Sequence, residues 1–447
     1  MKAHKNNVFI KISIIVVIGM LLLVPAAMIK SLIVEREATQ REARLEVGAK
    51  WGQEQTISGP CISVPFLRYI KQVSAKDSIG KVMLVKEYIH FLPSELFING
   101  NIYPERRNRG IYEIVVYNSK IKISGVFKRI DFSGFDIPMN SIQLDKAVIS
   151  IGINDLRGIE KQVSLRWNGE KSLFNPGMVS NDVFESGINA LVNISDYDSA
   201  AYSFSFDLDL KGSQLLYFIP VGEVTDVNIV SSWKNPSFNG AFLPDTRTVT
   251  DSGFVANWNI LNLNRNFPQQ WVGSNYKIAP SAFGIDLLVP VDNYQKSMRS
   301  IKYALLFIAL TFMVFFFVEV LQKVFIHPVQ YILVGFALII FYTLLLSISE
   351  HINYNAAFFV SALATLLLIA AYVKAILKSN ILTGLISGIL LILYTFIFVI
   401  IQLQDYALLI GSIGLFVILA LVMFISRKID WYNLNMDDKA LTISEKD

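Results

Sequence analysis

Three ionisable side chains near the ends of apolar stretches are the residues best placed to do chemistry. Glu350 and His351 end one such stretch, and Asp405 begins another. Ionisable groups beside membrane helices can form a proton relay or an ion site. At helix ends they are also open to water, and Asp405 could simply cap its helix. We favour the capping and interface interpretation, and a coupling cluster of the three residues in a membrane bundle is the alternative.

An aromatic stretch, SSWKNPSFNGAFLP, is a second candidate site because it contains Trp233, Phe238 and Phe242. Its Asn, Pro, Ser and Gly residues predict a loop-rich segment. Exposed aromatic side chains suit a binding surface. A loop folded back to close a β-sandwich would bury the same side chains. Both interpretations are open, and the three aromatics are our candidate partner-binding residues.

Two charged groupings have simpler interpretations. Glu319 and Lys323 stand four residues apart, a favourable helical pair worth about 0.2–0.5 kcal/mol. Arg106, Arg107 and Arg109 cluster in PERRNRG, which predicts a turn between strands. We expect a solvated hairpin there, and the alternative is that the guanidinium groups bind lipid phosphate or another anionic envelope polymer.

Catalytic chemistry has little support in the sequence. No GxSxG elbow, HExxH motif or phosphate-cradling glycine loop occurs. With four histidines and the single Cys61, a structural zinc site is not expected. His90 is the one histidine of the central segment and stands alone in an alternating strand pattern. We therefore predict a protein that is not an enzyme, with no catalytic residue, no cofactor and no metal.

The composition indicates a membrane protein. Hydrophobic residues make up 53% of the 447 residues and charged residues only 17%, whereas a soluble chain averages about 25% charged residues. Net charge is only +4, and no long basic run exists, so a nucleic-acid partner is not expected. The apolar residues cluster in stretches long enough to cross a bilayer. Six are predicted as transmembrane helices: 12–29, 303–318, 331–349, 356–373, 382–401 and 406–425.

The first stretch resembles a signal peptide, but its length and its charged helical continuation favour an uncleaved anchor. Lys and Arg mark the cytoplasmic side of short loops. The basic residues of the N-terminus and the short loops, together with those that open the tail, all fall on one side: Lys2, Lys5, Lys11, Lys323, Lys374, Lys378, Arg427 and Lys428. Three basic residues just before the second helix disagree, but long translocated segments are largely exempt from this rule. We predict that both termini are cytoplasmic and that the large segment between the first two helices lies outside.

This large segment has the pattern of an all-β domain. Short runs rich in Val, Ile, Phe and Tyr alternate with polar residues and are separated by turn signals. We predict an antiparallel β-sandwich-like domain, of one lobe or two, inserted between helices 1 and 2. The predicted organisation is an N-terminus at 1–11, helix 1 at 12–29, a juxtamembrane helix at 30–54, the β-rich domain at 55–302, a five-helix bundle at 303–425 and a cytoplasmic tail at 426–447.

Sequence blocks along nearly the whole chain resemble the CreD (Cet) family of bacterial inner-membrane proteins. They include LLLVPAAMIKSLIVERE, TISGPCISVPF, VSSWKNPSFNGAFLP, FGIDLLVPVDNYQKSMRSIKYALLFIALTF and DYALLIGSIGLFVILALVMFISRKIDWY. The resemblance implies a multi-pass protein of the bacterial inner membrane, linked to envelope integrity and to the response to envelope stress. It implies no biochemical activity and no functional residues.

Two functional hypotheses follow. The first is an envelope-integrity protein whose outer β-domain binds an envelope protein, lipid or glycan while the bundle anchors it in the bilayer. The second is a transporter or lipid-handling protein that uses the helical bundle. Almost no charge lies inside the helices and no internal repeat relates them, which favours the first. The sequence does not indicate the oligomeric state.

Overall fold

The computed structural model describes residues 8–74, 77–194, 201–287, 293–322, 324–403, 406–427 and 429. The chain divides into two compact units. One combines Met1–Gln40 with Val291–Asp447, and the other is Arg41–Pro290. The first unit is helical and the second is built almost entirely of strands.

The helical unit contains, within the described residues, six helical spans long and apolar enough to cross a membrane. The first span, Ile10–Trp51, continues from this unit into the other. The helices are α1 (Val8–Leu21), α2 (Leu23–Trp51), α3 (Asn293–Lys302), α4 (Ala304–Gln322), α5 (Pro328–Ser349), α6 (Tyr354–Leu377), α7 (Asn380–Gln402) and α8 (Ala407–Ser426). The short α3 falls within the range 55–302 that was predicted for the β-rich domain, but it lies in the helical unit.

Local signals explain where these helices begin and end. The side chains of His327, Asn353 and Ser379 accept hydrogen bonds from backbone N–H groups of the first turns of α5, α6 and α7. These N-caps satisfy donors that have no partner inside a helix. Helix α6 stops where Lys378 adopts a left-handed backbone with φ of 48°.

Aromatic packing on α5 organises the helical unit. The Phe341 ring lies 5.4 Å from that of Phe358 on α6 and 4.9 Å from that of Tyr394 on α7. On the same helix, a Cβ at Gly335 would lie 2.2 Å from Leu22 and 3.1 Å from Phe312. A side chain there would push the Leu22 methyl groups aside, so glycine allows the chain around Leu22 and helix α4 to pack closely against α5.

The β unit is formed by two sheets. Its strands are β1 (Gln55–Ser74), β2 (Asp77–Phe91), β3 (Glu95–Arg109), β4 (Tyr112–Lys128), β5 (Val148–Ile153), β6 (Ser164–Trp167), β7 (Glu170–Leu173), β8 (Asn175–Pro176), β9 (Gly187–Leu191), β10 (Ala201–Ser213), β11 (Leu215–Ile219), β12 (Val224–Ser231), β13 (Pro236–Gly240), β14 (Thr246–Thr250), β15 (Gly253–Leu261), β16 (Gln270–Val272) and β17 (Phe283–Leu287). We call the nine-stranded sheet, with the order β13-β17-β11-β1-β5-β9-β8 plus β2 and β16, sheet A. Sheet B has the order β14-β15-β12-β3-β4-β10-β6-β7.

A single hydrophobic core lies between the two sheets, so the unit is one extended sandwich. Residues of both sheets contribute to it, including Val64 and Phe218 of sheet A and Ile98 and Trp258 of sheet B. Buried and exposed residues alternate along β3, as expected for a strand with one face in the core. The predicted fold class, six apolar helices with an inserted all-β domain, is confirmed. Two strand pairs, β1–β11 and β12–β3, are parallel.

The chain crosses from one sheet to the other at Gln214. Strand β10 of sheet B ends at Ser213, and β11 of sheet A begins at Leu215. Gln214 has a φ of 65°, a left-handed conformation uncommon for a residue with a side chain. This corner brings β11 beside β1, on a part of sheet A that borders a large cleft.

The last turns of α2 pack against the β3–β4 hairpin within the β unit. Trp51 donates from its indole nitrogen to the carbonyl oxygen of Tyr117 at 3.4 Å, and the Arg107 guanidinium lies 3.8 Å from the centre of the Trp51 ring. Arg109 donates two hydrogen bonds to the Glu46 carboxylate at 2.9 and 3.1 Å. The predicted arginine-rich turn is therefore the end of a strand, and two of its three arginines contact the helix.

Candidate functional site

A large cleft lies on the outer face of sheet A, within the β unit. Its volume is about 970 Å³. Thr56 and Ser58 of β1 and Gly152 of β5 form its floor, and the strand register sets Ser58 beside Gly152. Ligand sites usually measure about 300–1,000 Å³, so the cleft is large enough for a small molecule or a segment of a polymer.

Three chain segments form the walls of this cleft. They are the α2 residues from Arg44 to Gly48, the loop 181–186, and the loop 274–282. Glycine at position 48 permits a close approach where α2 meets the sandwich, since a Cβ there would lie 3.0 Å from the Ser213 hydroxyl oxygen. The first wall is thus the end of a helix that begins in the helical unit.

The loop 181–186 is fixed to the sheet by one aromatic ring. Phe184 is 5% exposed. A Cβ at Gly152 would lie 2.7 Å from the Phe184 ring, and one at Gly59 would lie 3.2 Å from it. The absence of side chains at these two glycines lets the ring lie flat against the strands. This contact holds Asp182, two residues earlier in the chain, at the edge of the cleft.

Asp182 is the outermost member of a Ser–His–Asp hydrogen-bonded chain. His90 Nε2 lies 3.2 Å from a carboxylate oxygen of Asp182, and His90 Nδ1 lies 2.9 Å from the hydroxyl oxygen of Ser63. His90 is 1% exposed and Ser63 is 5% exposed. Burial lowers the pKa of His90 below its usual 6.5, although Asp182 acts in the opposite direction. At neutral pH the ring is therefore uncharged, with the Nε2–H donating to Asp182 and the Ser63 hydroxyl donating to Nδ1.

This arrangement is unsuited to nucleophilic catalysis at the cleft. In a serine hydrolase the hydroxyl faces the substrate and the carboxylate lies behind the imidazole. Here Asp182 lines the cleft, whereas His90 and Ser63 are buried beneath it. Trp271 packs against His90 with 5.6 Å between the ring centres. The hydrogen bonds from Ser63 through His90 hold the Asp182 carboxylate in one orientation. Asp182 is therefore a fixed hydrogen-bond acceptor for a ligand.

Glu54 is a second carboxyl group of the cleft. Burial, and then the negative charge of Asp286, raise the pKa of Glu54 above its usual value. Asp286 itself accepts a hydrogen bond from the Tyr217 hydroxyl at 2.9 Å. The pKa of Tyr217 is raised to about 12, first by burial and then by this bond. Two carboxyl groups, Asp182 and Glu54, thus line a cleft that also contains Arg44 and Lys277.

Known proteins match the chain along nearly its whole length. A family model described as inner membrane protein CreD matches residues 7–432. The inner membrane protein CreD of Escherichia coli (strain K12) is 32% identical over 437 residues, which is 97% of this chain and 95% of that protein. The chain belongs to the CreD family. The resemblance inferred from the sequence blocks is confirmed, and the family is one of inner membrane proteins.

The cleft of this CreD-family protein was not predicted from its sequence. Ser63 and His90 meet because β1 and β2 pair in that register, and Asp182 joins them from a loop much later in the chain. No sequence spacing connects the three. The alternating pattern around His90 did predict a strand, but not which face of the strand would be covered.

The three predicted aromatic residues lie away from the cleft, within the sandwich. Trp233 is 7% exposed and Phe238 is 8% exposed. Phe238 belongs to β13, which pairs with β17, so the stretch predicted as a loop contains a strand. Its ring lies 5.9 Å from that of Trp258, and half-buried Phe242 lies 5.9 Å from Phe283. The burial of these side chains is expected if the stretch folds back to close the sandwich. Partner binding by Trp233, Phe238 and Phe242 stays a prediction.

In the helical unit of this CreD-family protein, Glu350 has two partners. The Tyr294 hydroxyl donates to it at 2.9 Å, and Arg36 Nε lies 3.8 Å away. His351 is exposed, and Asp405 lies outside the described residues. The predicted coupling cluster therefore stays a prediction, with one of its three members bound to neighbouring helices.

Glu319 pairs with Lys11 in this structure. The Lys11 ammonium contacts the Glu319 carboxylate and also donates to the Ile326 carbonyl oxygen at 3.0 Å. The other carboxylate oxygen accepts from the Tyr331 hydroxyl at 3.0 Å. Lys323, the partner expected from helical spacing, lies outside the described residues. Within those residues, no group of three His, Cys, Asp or Glu side chains could hold a metal ion.

Proposed function

We propose that this CreD-family protein supports cell-envelope integrity from the inner membrane by binding an envelope component or protein in the cleft of its β domain. The observation that carries this proposal is the cleft itself, about 970 Å³ in volume and bounded on three sides. A concave site of this size with both apolar and polar groups is typical of ligand binding. The helical unit would then serve as the membrane anchor of the binding domain.

The lining of the cleft indicates an amphiphilic ligand. Leu45 is 66% exposed and Tyr276 is 39% exposed, so both present apolar surface. Asp182, held by His90, offers an oriented acceptor. Arg44 and Lys277 supply positive charge at other points of the lining. A ligand that carries both apolar groups and hydrogen-bonding groups would satisfy this surface.

The β domain would face the periplasm. The basic residues of the short loops support this orientation, since they all fall on the side of the two termini. Single-cysteine labelling tests it, because Cys61 is 0% exposed and contributes no background. In spheroplasts, L263C and H351C should react with a membrane-impermeant maleimide, whereas K374C should react only after permeabilisation. Labelling of K374C alone would reverse the orientation.

Photocrosslinking tests the binding site. A photoreactive benzoylphenylalanine at Tyr276 or Leu45 should capture a defined protein, lipid or glycan in living cells. The matched control is the same residue at Leu263, which is 87% exposed and does not line the cleft. Equal adducts at Leu263, or none at either cleft position in a protein that accumulates normally, would contradict ligand binding in the cleft.

A transporter or lipid-handling role is the second candidate. Glu350 favours it, because its side chain is only 11% exposed and contacts residues of two other helices. Replacing Glu350 and Asp405 together by Gln and Asn should abolish protection of a deletion strain against membrane-perturbing detergent, while the protein still accumulates. The control is Glu35→Gln, at an exposed position of α2. Full protection by the double variant would leave the helical unit with an anchoring role.

A further inference from the structure

The outer face of sheet B carries a row of asparagine side chains on three neighbouring strands. The register places Asn257 of β15 beside Asn228 of β12, and Asn228 beside Asn99 of β3. Neighbouring strands lie about 4.8 Å apart, so the three amides form a regular ladder. Thr246 of β14 extends this row by one strand and accepts a hydrogen bond from the Asn257 amide at 3.2 Å.

A second row runs parallel to the ladder. In it, Asn259 stands beside Asp226, and Asp226 stands beside Phe97. The Asn259 amide donates to one carboxylate oxygen of Asp226 at 2.5 Å. Asp245 lies at the same end, where its carboxylate accepts from the backbone N–H of Asn259 at 2.7 Å. These bonds fix both carboxylates while leaving one oxygen of each for a ligand.

The two rows enclose a pocket of about 310 Å³. Asn99 and Asn228 are exposed, so their amides face solvent with both a donor and an acceptor. Phe97 is 37% exposed and presents the edge or face of its ring beside them. None of the residues that line this pocket, all of them described, is a lysine or an arginine.

The chemistry of this pocket selects against anions. Two carboxylates in a lining that contains no lysine or arginine would repel phosphates, carboxylates and anionic lipid headgroups. Lys122 of β4 stands beside Asn99, on the side away from Asn228 and the two carboxylates. The Asn99 and Asn228 amides each offer a donor and an acceptor. They match the neighbouring hydroxyl groups of a sugar ring, because each hydroxyl group can also donate and accept a hydrogen bond. An aromatic ring beside them can pack against the C–H groups of such a ring.

We propose that this face of sheet B is a binding site for an uncharged oligosaccharide, with Asn99 and Asn228 bonding the hydroxyls and Phe97 packing against a sugar ring. The pocket volume accommodates about one or two sugar rings. The site lies on sheet B, whereas the cleft lies on sheet A. The proposal is therefore independent of ligand binding in the cleft.

Saturation-transfer NMR on the full-length protein in nanodiscs tests this proposal with three probes: chitotriose, cellotriose and the anionic trigalacturonate. At least one of the neutral sugars should receive magnetisation, and trigalacturonate should not. Asn228→Ala should weaken the binding of that sugar about tenfold, the loss of one hydrogen bond. Phe97→Ala should have an effect in the same direction.

The matched control is Asn101→Ala. Asn101 is an exposed residue of the same strand and face as Asn99, and it does not line the pocket. Binding of the neutral sugar should be unchanged in this variant. Because Asn228 is exposed, its variant should unfold at the wild-type temperature, which separates lost binding from lost folding. No signal from either neutral sugar, a stronger signal from trigalacturonate, or equal effects of the Asn228 and Asn101 variants would overturn the proposal.

Discussion

Replacement of Lys11 by methionine should lower the free energy of unfolding of the helical unit by about 3–5 kcal/mol. Both charges of the pair are buried, with Lys11 7% exposed and Glu319 8% exposed. Two opposite charges about 4 Å apart attract by about 4 kcal/mol at an effective dielectric constant near 20. Without Lys11, the Glu319 carboxylate stays buried with two neutral donors, the Ile326 N–H at 3.2 Å and the Tyr331 hydroxyl at 3.0 Å.

A double-mutant cycle measures this pair directly. The single variants Lys11→Met and Glu319→Gln and the double variant are unfolded with SDS in mixed micelles, and each free energy is compared with wild type. The double variant should lose less than the sum of the two single losses, by about 2–3 kcal/mol, because no unpaired charge remains. Lys30→Met is the control, since Lys30 is an exposed residue of α2.

A loss of unfolding free energy for Lys11→Met no larger than that for Lys30→Met would contradict a buried ion pair. Losses below about 1 kcal/mol that simply add would be the behaviour of a solvated surface pair. The contacts between α1 and the α4–α5 connection would then owe their stability to apolar packing alone.

Three further predictions concern the β unit. Because burial lowers the pKa of His90 below 6.5, the unfolded state binds its proton more readily, and stability should fall as the pH drops below about 6.5. His90→Asn should flatten this dependence in urea titrations at pH 5 and 7, and an unchanged slope would contradict it. The Cys61 thiol, whose pKa burial raises to about 12, should resist maleimide until the protein is unfolded in SDS, whereas L263C should react at once; rapid labelling of native Cys61 would show that the site opens. Arg265 donates to the carbonyl oxygens of Phe267 and Val221 at 2.6 and 3.1 Å, so Arg265→Met should cost about 3 kcal/mol by thermal unfolding. An effect no larger than that of exposed Arg247→Met would mean that water replaces the guanidinium.

The membrane helices could be predicted because their signal is local. A run of apolar residues of sufficient length specifies a spanning helix regardless of what it packs against. The third stretch, predicted as 331–349, begins three residues earlier as Pro328–Ser349. His327 caps this helix and Pro328 fits its first turn. These two residues set the start of the helix, but neither is apolar enough to extend the predicted hydrophobic stretch.

The β domain was predictable as a class but not in its pairing. Alternation shows that one face of a strand is buried, yet it does not identify the neighbouring strand. The stretch SSWKNPSFNGAFLP has the composition of a loop, so β13 was not predicted. It is a short edge strand whose Phe238 is buried against Trp258. Edge strands are short and rich in turn residues, so their local composition resembles that of loops.

The charged sites depend on long-range pairing and were therefore missed or assigned to the wrong partner. Helical spacing predicted that Glu319 pairs with Lys323. In the structure, Glu319 contacts Lys11, which lies near the N-terminus, far from it in the sequence. The same holds for His90, whose two partners come from a paired strand and a distant loop. A sequence pattern shows the periodicity of one helix or strand. The contacts of Glu319 and His90 join residues far apart in the sequence, so they depend on how the whole chain folds.

The parallel pairing of β1 with β11 has a consequence for the biogenesis of this protein. Residues 55–58 pair with residues 216–219. Strand β17 pairs with the other edge of β11 and ends at Leu287, shortly before α3 begins. The ribosome must therefore complete ten strands before residues 55–58 acquire β11 as their neighbour, although β2 and β5 pair with β1 earlier. During that interval residues 55–58 keep one unpaired edge that is open to non-native partners. A chaperone that covers this edge would be needed only until β11 has emerged from the ribosome.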